Sequence, residues 1–317
     1  MLAGILAGLT WAIDTVILGV ALSMTSFTST AQAAVLAPFV STFLHDFFAA
    51  LTATIYNGVR GKLPDVWKAL KSKSGRGIVI AAIIGAPVGM TGYVMAVNYM
   101  GASVGAVATA IFPAIGAVLA VIFLKEKMQW YRWVFLVVTL IGVYGLSYSP
   151  DVSVTNFGLG ILGAAMCAIG WGVEAVIAAK CMQDVAVIDE YAIQIRESTS
   201  AIVYAVILLP ILRGWPFTVS LFNPSNGMLI PLIAIAGALG CVSYMLYYKA
   251  ITQIGASKSM ALNITYAAWS IVFTVLILHD TSVLTPVTIG CAIIVIVCGI
   301  LAAADFKDLF GKSKGQF

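Results

Sequence analysis

The chain has 317 residues, of which 61% are hydrophobic and only 9% charged, and its mean hydropathy is +1.03. A soluble domain carries about 25% charged residues. The composition therefore excludes a water-facing globular protein, and the recurrence of apolar runs from end to end excludes a soluble enzyme held by a single anchor. The formal net charge of +4 comes from basic loops and asks for no nucleic-acid partner.

In chain order, apolar runs long enough to cross a hydrocarbon core of about 30 Å place ten spans, at 1–24, 33–56, 78–99, 102–124, 131–148, 157–180, 189–212, 228–252, 257–278 and 286–304. Only helices satisfy their own backbone over such lengths in lipid, which predicts an all-α integral membrane protein with ten transmembrane helices. The first run lacks a basic leader and resembles the later ones, so it reads as a mature span and not as a cleaved signal. The longest polar stretch, Asn57 to Gly77, is too short for a soluble domain. Gly85-Ala86-Pro87-Val88-Gly89 opens the third span and Pro113 sits inside the fourth, both predicting kinks. The other glycines predict close helix packing. The five cysteines form no CxxC pair and read as buried free thiols. With two histidines, no His-rich metal site is expected. No cofactor is expected either, and no Gly-Lys-Ser/Thr phosphate loop is present.

Lys and Arg set the orientation. Of the 17 basic residues, 15 fall on one side: Arg60, Lys62, Lys68, Lys71, Lys73, Arg76, Lys125, Lys127, Arg132, Lys180, Lys249, Lys258, Lys307, Lys312 and Lys314. Arg213 lies in the opposite loops and Arg196 inside a span. Both termini are expected on the cytoplasmic side of the cell (inner) membrane.

The chain repeats itself. Trp11-Ala12-Ile13-Asp14 is echoed by Trp171-Gly172-Val173-Glu174, His45-Asp46 by Arg196-Glu197, and Gly101-Ala102-Ser103 by Gly255-Ala256-Ser257. The expected halves are residues 1–150 and 151–317, the second ending in a short cytoplasmic tail. Five spans per half force the second half to enter from the opposite side, giving a 5+5 inverted-topology repeat, the architecture of alternating-access carriers.

Ionisable residues inside spans are costly and point to function. They are Asp14, His45, Asp46, Glu174, Arg196 and Glu197. Asp14 and Glu174 each follow a tryptophan by three residues, so acid and indole share a helix face. Trp269, with Tyr266 before it, offers a third indole; Tyr244, Tyr247 and Tyr248 lie on the eighth span, and Asn263 adds an amide. Aromatic faces with a carboxylate hold an organic cation. Two carboxylates close together in a low dielectric repel, so one is expected to carry a proton. His45-Asp46 and Arg196-Glu197 fit either a polar cluster in the bundle or local pairing near the membrane surface.

Five-plus-five spans, short loops and Lys125-Glu126 after the fourth span resemble the EamA-type repeat of the drug/metabolite transporter superfamily over nearly the whole chain. Trp171-Gly172-Val173-Glu174, His45-Asp46-Phe47, Gly85-Ala86-Pro87-Val88-Gly89-Met90, Ala96-Val97-Asn98-Tyr99, Ser243-Tyr244-Met245-Leu246-Tyr247-Tyr248 and the run from Leu262 to Trp269 are similar to the bacterial LicB-type choline transporters. That resemblance implies a quaternary ammonium held in an aromatic box by Trp11, Trp171, Tyr248 and Trp269, with Glu174 as countercharge. The acid at Asp14 departs from that family's pattern; it could serve proton coupling or select a more positive substrate.

The expectation is a proton-coupled carrier of choline or a related organic cation, with Trp11, Asp14, Trp171, Glu174, Tyr244, Tyr248, Asn263 and Trp269 as the substrate-binding set. An exporter of amino acids, amines or cationic drugs is the rival within the same superfamily. A membrane enzyme fits poorly, because the acids lie mid-span beside tryptophans. Bulky indoles would obstruct a channel.

Overall fold

The computed structural model describes residues 1–147 and 154–305. Lys307, Lys312 and Lys314 of the expected tail, and the expected boundary between halves at residues 150 and 151, lie outside the described residues. Among the described residues all regular structure is helical. The membrane-scale elements are α1 (Leu2–Ser23), α2 (Ala31–Val59), α3 (Lys73–Met100), α4 (Ala102–Thr109), α5 (Phe112–Phe123), α6 (Trp130–Ser147), α7 (Phe157–Cys181), α8 (Asp189–Ile211), α9 (Leu229–Ile254), α10 (Ala256–Leu278) and α11 (Pro286–Ala303).

Nine of these are long and apolar enough to cross a membrane, against the ten expected. The difference lies in the fourth segment. Residues 102–124 form two helices, α4 of 8 residues and α5 of 12, and neither alone spans about 30 Å. Pro113 stands in the first turn of α5, where a missing N–H costs nothing, and helix α4 stops just before it. The expected kink at Pro113 is thus a full break. Pro87 has a milder effect. It lies in a widened π-type turn, Ile84–Val88, inside α3, where the ring removes one backbone donor.

The helices pack in a symmetric pattern. α1 lies against α9 and α10, and α7 lies against α3 and the α4–α5 pair. α2 meets α9 as α8 meets α3, while α2 with α8 and α6 with α11 pair directly. Exchanging the first five segments with the last five maps these pairs onto themselves. The turns repeat too. Gly101 before α4 and Gly255 before α10 both take positive φ, 81° and 90°, which only glycine adopts without strain. Lys125 after α5 and His279 after α10 likewise match, at φ 57° and 55°.

Polar contacts tie the helices across the bundle. The Ser243 hydroxyl of α9 donates to the Ala7 carbonyl of α1 at 2.8 Å. The Glu126 carboxylate, just past α5, accepts from the backbone N–H groups of Ala256 and Ser257 at 2.6 and 3.1 Å, and from the Ser257 hydroxyl. It caps the first turn of α10, where orphan N–H groups and the helix dipole favour an anion. In the loop between α7 and α8, the Ala186 N–H and the Ser74 hydroxyl hold the Asp184 carboxyl below the usual carboxylate range.

Candidate functional site

α1, α2, α3, α5, α7, α8, α9 and α10 surround a cavity of about 370 Å³. Along α1 it runs from Trp11 past Asp14 and Leu18 to Leu22, near the C-terminal end of that helix. Neither α6 nor α11 contributes a lining residue.

Two aromatic clusters wall the cavity, each centred on one of the repeat-related tryptophans. Trp11 packs edge-to-face on Tyr244, with ring centroids 5.1 Å apart, and on Tyr266 at 6.4 Å. Trp171 packs edge-to-face on Phe112 at 5.3 Å and stacks on Tyr93 at 6.2 Å. Phe112 begins α5 as Tyr266 begins the second part of α10, so each tryptophan takes an aromatic partner from the other half of the chain. Tyr248 meets Tyr244 edge-on at 6.1 Å.

Between the aromatic walls lie six buried ionisable side chains, all 6% exposed or less: Asp14, His45, Asp46, Glu174, Arg196 and Glu197. They are joined. His45 Nε2 is 3.2 Å from Asp14 Oδ2, and His45 Nδ1 is 3.0 Å from Asp46 Oδ1. The other Asp46 oxygen accepts from the Ser200 hydroxyl and lies 3.6 Å from an Arg196 terminal nitrogen. Arg196 Nε donates to Glu174 at 2.9 Å, Nη1 to Glu197 at 2.9 Å, and Nη2 to the Tyr244 hydroxyl at 3.2 Å. The guanidinium also lies over the Tyr244 ring, 4.4 Å from its centroid. Of the two readings of the second and seventh spans, the polar cluster is the one found.

Four carboxylates thus face one permanent cation and one histidine. Burying ions without partners is prohibitive, and Arg196 answers three of the four acids. Asp14 keeps one oxygen, Oδ1, with no hydrogen-bond partner among the described residues.

Of the expected binding set, Trp11, Asp14, Trp171, Glu174, Tyr244, Tyr248 and Asn263 line the cavity. Trp269 does not; it is half-buried away from it, and Tyr266 takes the wall position instead. Glu174, the countercharge that the resemblance implies, is ion-paired with Arg196 at 2.9 Å. Phe112, Thr15 and Thr42 line the cavity without having been singled out. The Gly85-to-Gly89 motif, read as a kink and as part of the resemblance, packs directly against the site. A β-carbon on Gly85 would lie 1.7 Å from a Glu174 oxygen, and one on Gly89 would lie 3.0 Å from the Trp171 indole. The signal was present as two glycines one turn apart beside a proline.

Residues 1–148 match the EamA-like transporter family. The chain is 27% identical to Protein LicB of Haemophilus influenzae over 61% of this chain and 63% of that protein, so the match spans a little less than two thirds of that relative's length. It is 27% identical to an S-adenosylmethionine uptake transporter of Rickettsia felis over 78% of this chain and 80% of that one. It is 28% identical to the corresponding protein of Rickettsia bellii over 54% of each. A solved crystal structure superposes with a TM-score of 0.70, covering 95% of this chain and 96% of the other, at 17% identity, which speaks to the fold alone. The family match and these relatives point to a transporter rather than an enzyme.

Proposed function

We propose that this multi-pass membrane protein, whose first half matches the EamA-like transporter family, is a secondary carrier of organic cations, with choline or a related quaternary ammonium compound as the leading substrate. The observation that carries this reading is the cavity itself: two tryptophan-centred aromatic walls enclosing more buried carboxylates than fixed cations. Aromatic faces attract a cation that has no N–H to donate, and the surplus negative charge draws it in from a distance. An anion would be repelled by the same lining. The relative named LicB supports choline through the resemblance stated above.

The two halves, residues 1–150 and 151–317, act as an inverted repeat of five segments each. The symmetric helix pairing and the matched turns at Gly101 and Gly255 support this. Rocking of one half against the other alternates access to the cavity. Both termini lie in the cytoplasm, and the chain sits in the cell membrane. A proton gradient drives the cycle.

A second cation class is favoured by one observation. The cavity, about 370 Å³, holds far more than choline fills. A bulkier sulfonium such as S-adenosylmethionine, the substrate named for the Rickettsia relatives, also joins a cation to an aromatic face.

The test is thermal unfolding of the purified chain in detergent against choline, betaine, polyamines, S-adenosylmethionine and aromatic amino acids. A ligand bound only by the folded state raises the melting temperature by mass action. Choline should stabilise the wild type, and Trp171→Ala should lose that shift. Stabilisation by S-adenosylmethionine alone transfers the site to the bulkier cation, and stabilisation by no cation removes the reading.

A further inference from the structure

The two halves build the same ion pair twice. α1 and α7 each supply an acid three residues after a tryptophan, and α2 and α8 each supply the cationic partner. In the first half Asp14 meets His45 at 3.2 Å; in the second Glu174 meets Arg196 at 2.9 Å. Each pair is seated on a glycine of the opposite half. Gly85 of α3 abuts Glu174, and Gly240 of α9 abuts His45, where a β-carbon would lie 2.6 Å from the ring. One difference separates the pairs. Arginine is always charged, whereas histidine changes charge near neutral pH.

The surroundings of His45 fix what that difference means. Its Nε2 faces Asp14 from α1 and its Nδ1 faces Asp46 from α2. A neutral imidazole has a single N–H. To satisfy both carboxylates, either the ring is an imidazolium or one of the acids holds a proton. Either way the Asp14–His45–Asp46 unit holds one proton more than a neutral ring between two carboxylates. The titratable and charged groups facing it from neighbouring elements are Arg196, Glu197 and Tyr204 of α8, Glu174 of α7 and Tyr244 of α9. Arg196 is committed to Glu174, Glu197 and Asp46, which leaves Asp14 with His45 as its only partner among the described residues.

We propose that Asp14–His45–Asp46 is the proton site of the carrier, and that its proton and the organic cation compete. The inference rests on the cation reading above. His45 lies edge-on to Trp11, with ring centroids 6.2 Å apart, and both line the cavity. A cation against the Trp11 face therefore sits near the imidazolium, and like charges this close in a low dielectric repel. Entry of the cation expels the proton into the cavity; departure of the cation lets a proton return. Arg196, always charged, is the fixed counterpart of His45 in the second half.

The experiment measures choline affinity of the full chain in detergent from about pH 5 to about pH 8, where imidazole titrates. Displacement of one proton per cation tightens wild-type binding by up to about tenfold per pH unit as pH rises. His45→Gln, which mimics the deprotonated unit, should bind tightly at all these values. His45→Arg, which mimics the protonated one, should bind weakly at all of them. A wild-type slope retained in His45→Gln overturns the assignment. Arginine crowds Gly240, so a second measurement stands apart from both variants and from the substrate. The chain has two histidines. In His279→Gln, isotope-labelled histidine NMR therefore reports His45 alone. Its signal should titrate, and Asp14→Asn should move the midpoint. If choline fails to bind while the signal still titrates and responds to Asp14→Asn, the choline reading falls and the proton site stands. A signal fixed in one form across the range, in both backgrounds, removes the proton site.

Discussion

Arg196 and His45 hold equivalent places in the two halves, yet only Arg196 anchors the cluster. The guanidinium bonds Glu174, Glu197 and the Tyr244 hydroxyl and lies within 3.6 Å of Asp46, while the imidazole joins Asp14 to Asp46. One fork of five donors answers three acids from three helices; one ring with two nitrogens answers two. A repeated scaffold thus places a permanent charge on one side and a reversible one on the other. The permanent charge secures the fold, and the reversible one is left for exchange.

The sharpest way to break this comparison is Arg196→Gln. It strips Glu174, Glu197 and Asp46 of their shared cation, and removing one partner of a buried ionic cluster costs about 3–5 kcal/mol. Thermal unfolding in detergent should show a large fall in melting temperature, far beyond that of His45→Gln; equal losses would erase the distinction between anchor and exchanger.

Next in size is Glu174→Gln. Arg196 keeps Glu197 and Asp46, so the protein should still fold and express, but a cation in the cavity loses a nearby carboxylate. Cation uptake should drop about tenfold or more. Unchanged uptake by well-folded Glu174→Gln would take this acid out of the mechanism.

The smallest effect separates two aromatics of one helix. Tyr266→Ala should weaken cation binding about fivefold, the value of one cation–π contact of about 1 kcal/mol. Trp269→Ala should change it less than about twofold, since that indole lies off the cavity. The reverse order would return Trp269 to the box.

Trp269 also shows where sequence reading stops. Its span, which reads as one continuous helix in the sequence, breaks after Asn263 and restarts at Tyr266. Mean hydropathy does not register such a break, which is also why residues 102–124 read as one span when Pro113 divides them. By contrast, the tryptophan–acid spacing lies inside unbroken turns of α1 and α7, and both faces point where spacing placed them. Gly101 and Gly255 were legible as a repeated triplet, and their positive φ values follow from residue type. The bond from Arg196 to Glu174 was not legible. Spacing along one helix defines a face but not which neighbour that face meets, and these two side chains sit on different helices.

The Glu126 carboxylate offers a final consequence. It belongs to the first half, and it grips the opening turn of α10 in the second half through three hydrogen bonds. Its counterpart after α10, Asp280, instead closes a turn onto Ser282 in its own loop. The cavity meanwhile extends toward Leu22, at the far end of α1. Glu126 is thus a clasp that fastens the end of α5 to the start of α10. Any movement that parts these two helices has to break that clasp first.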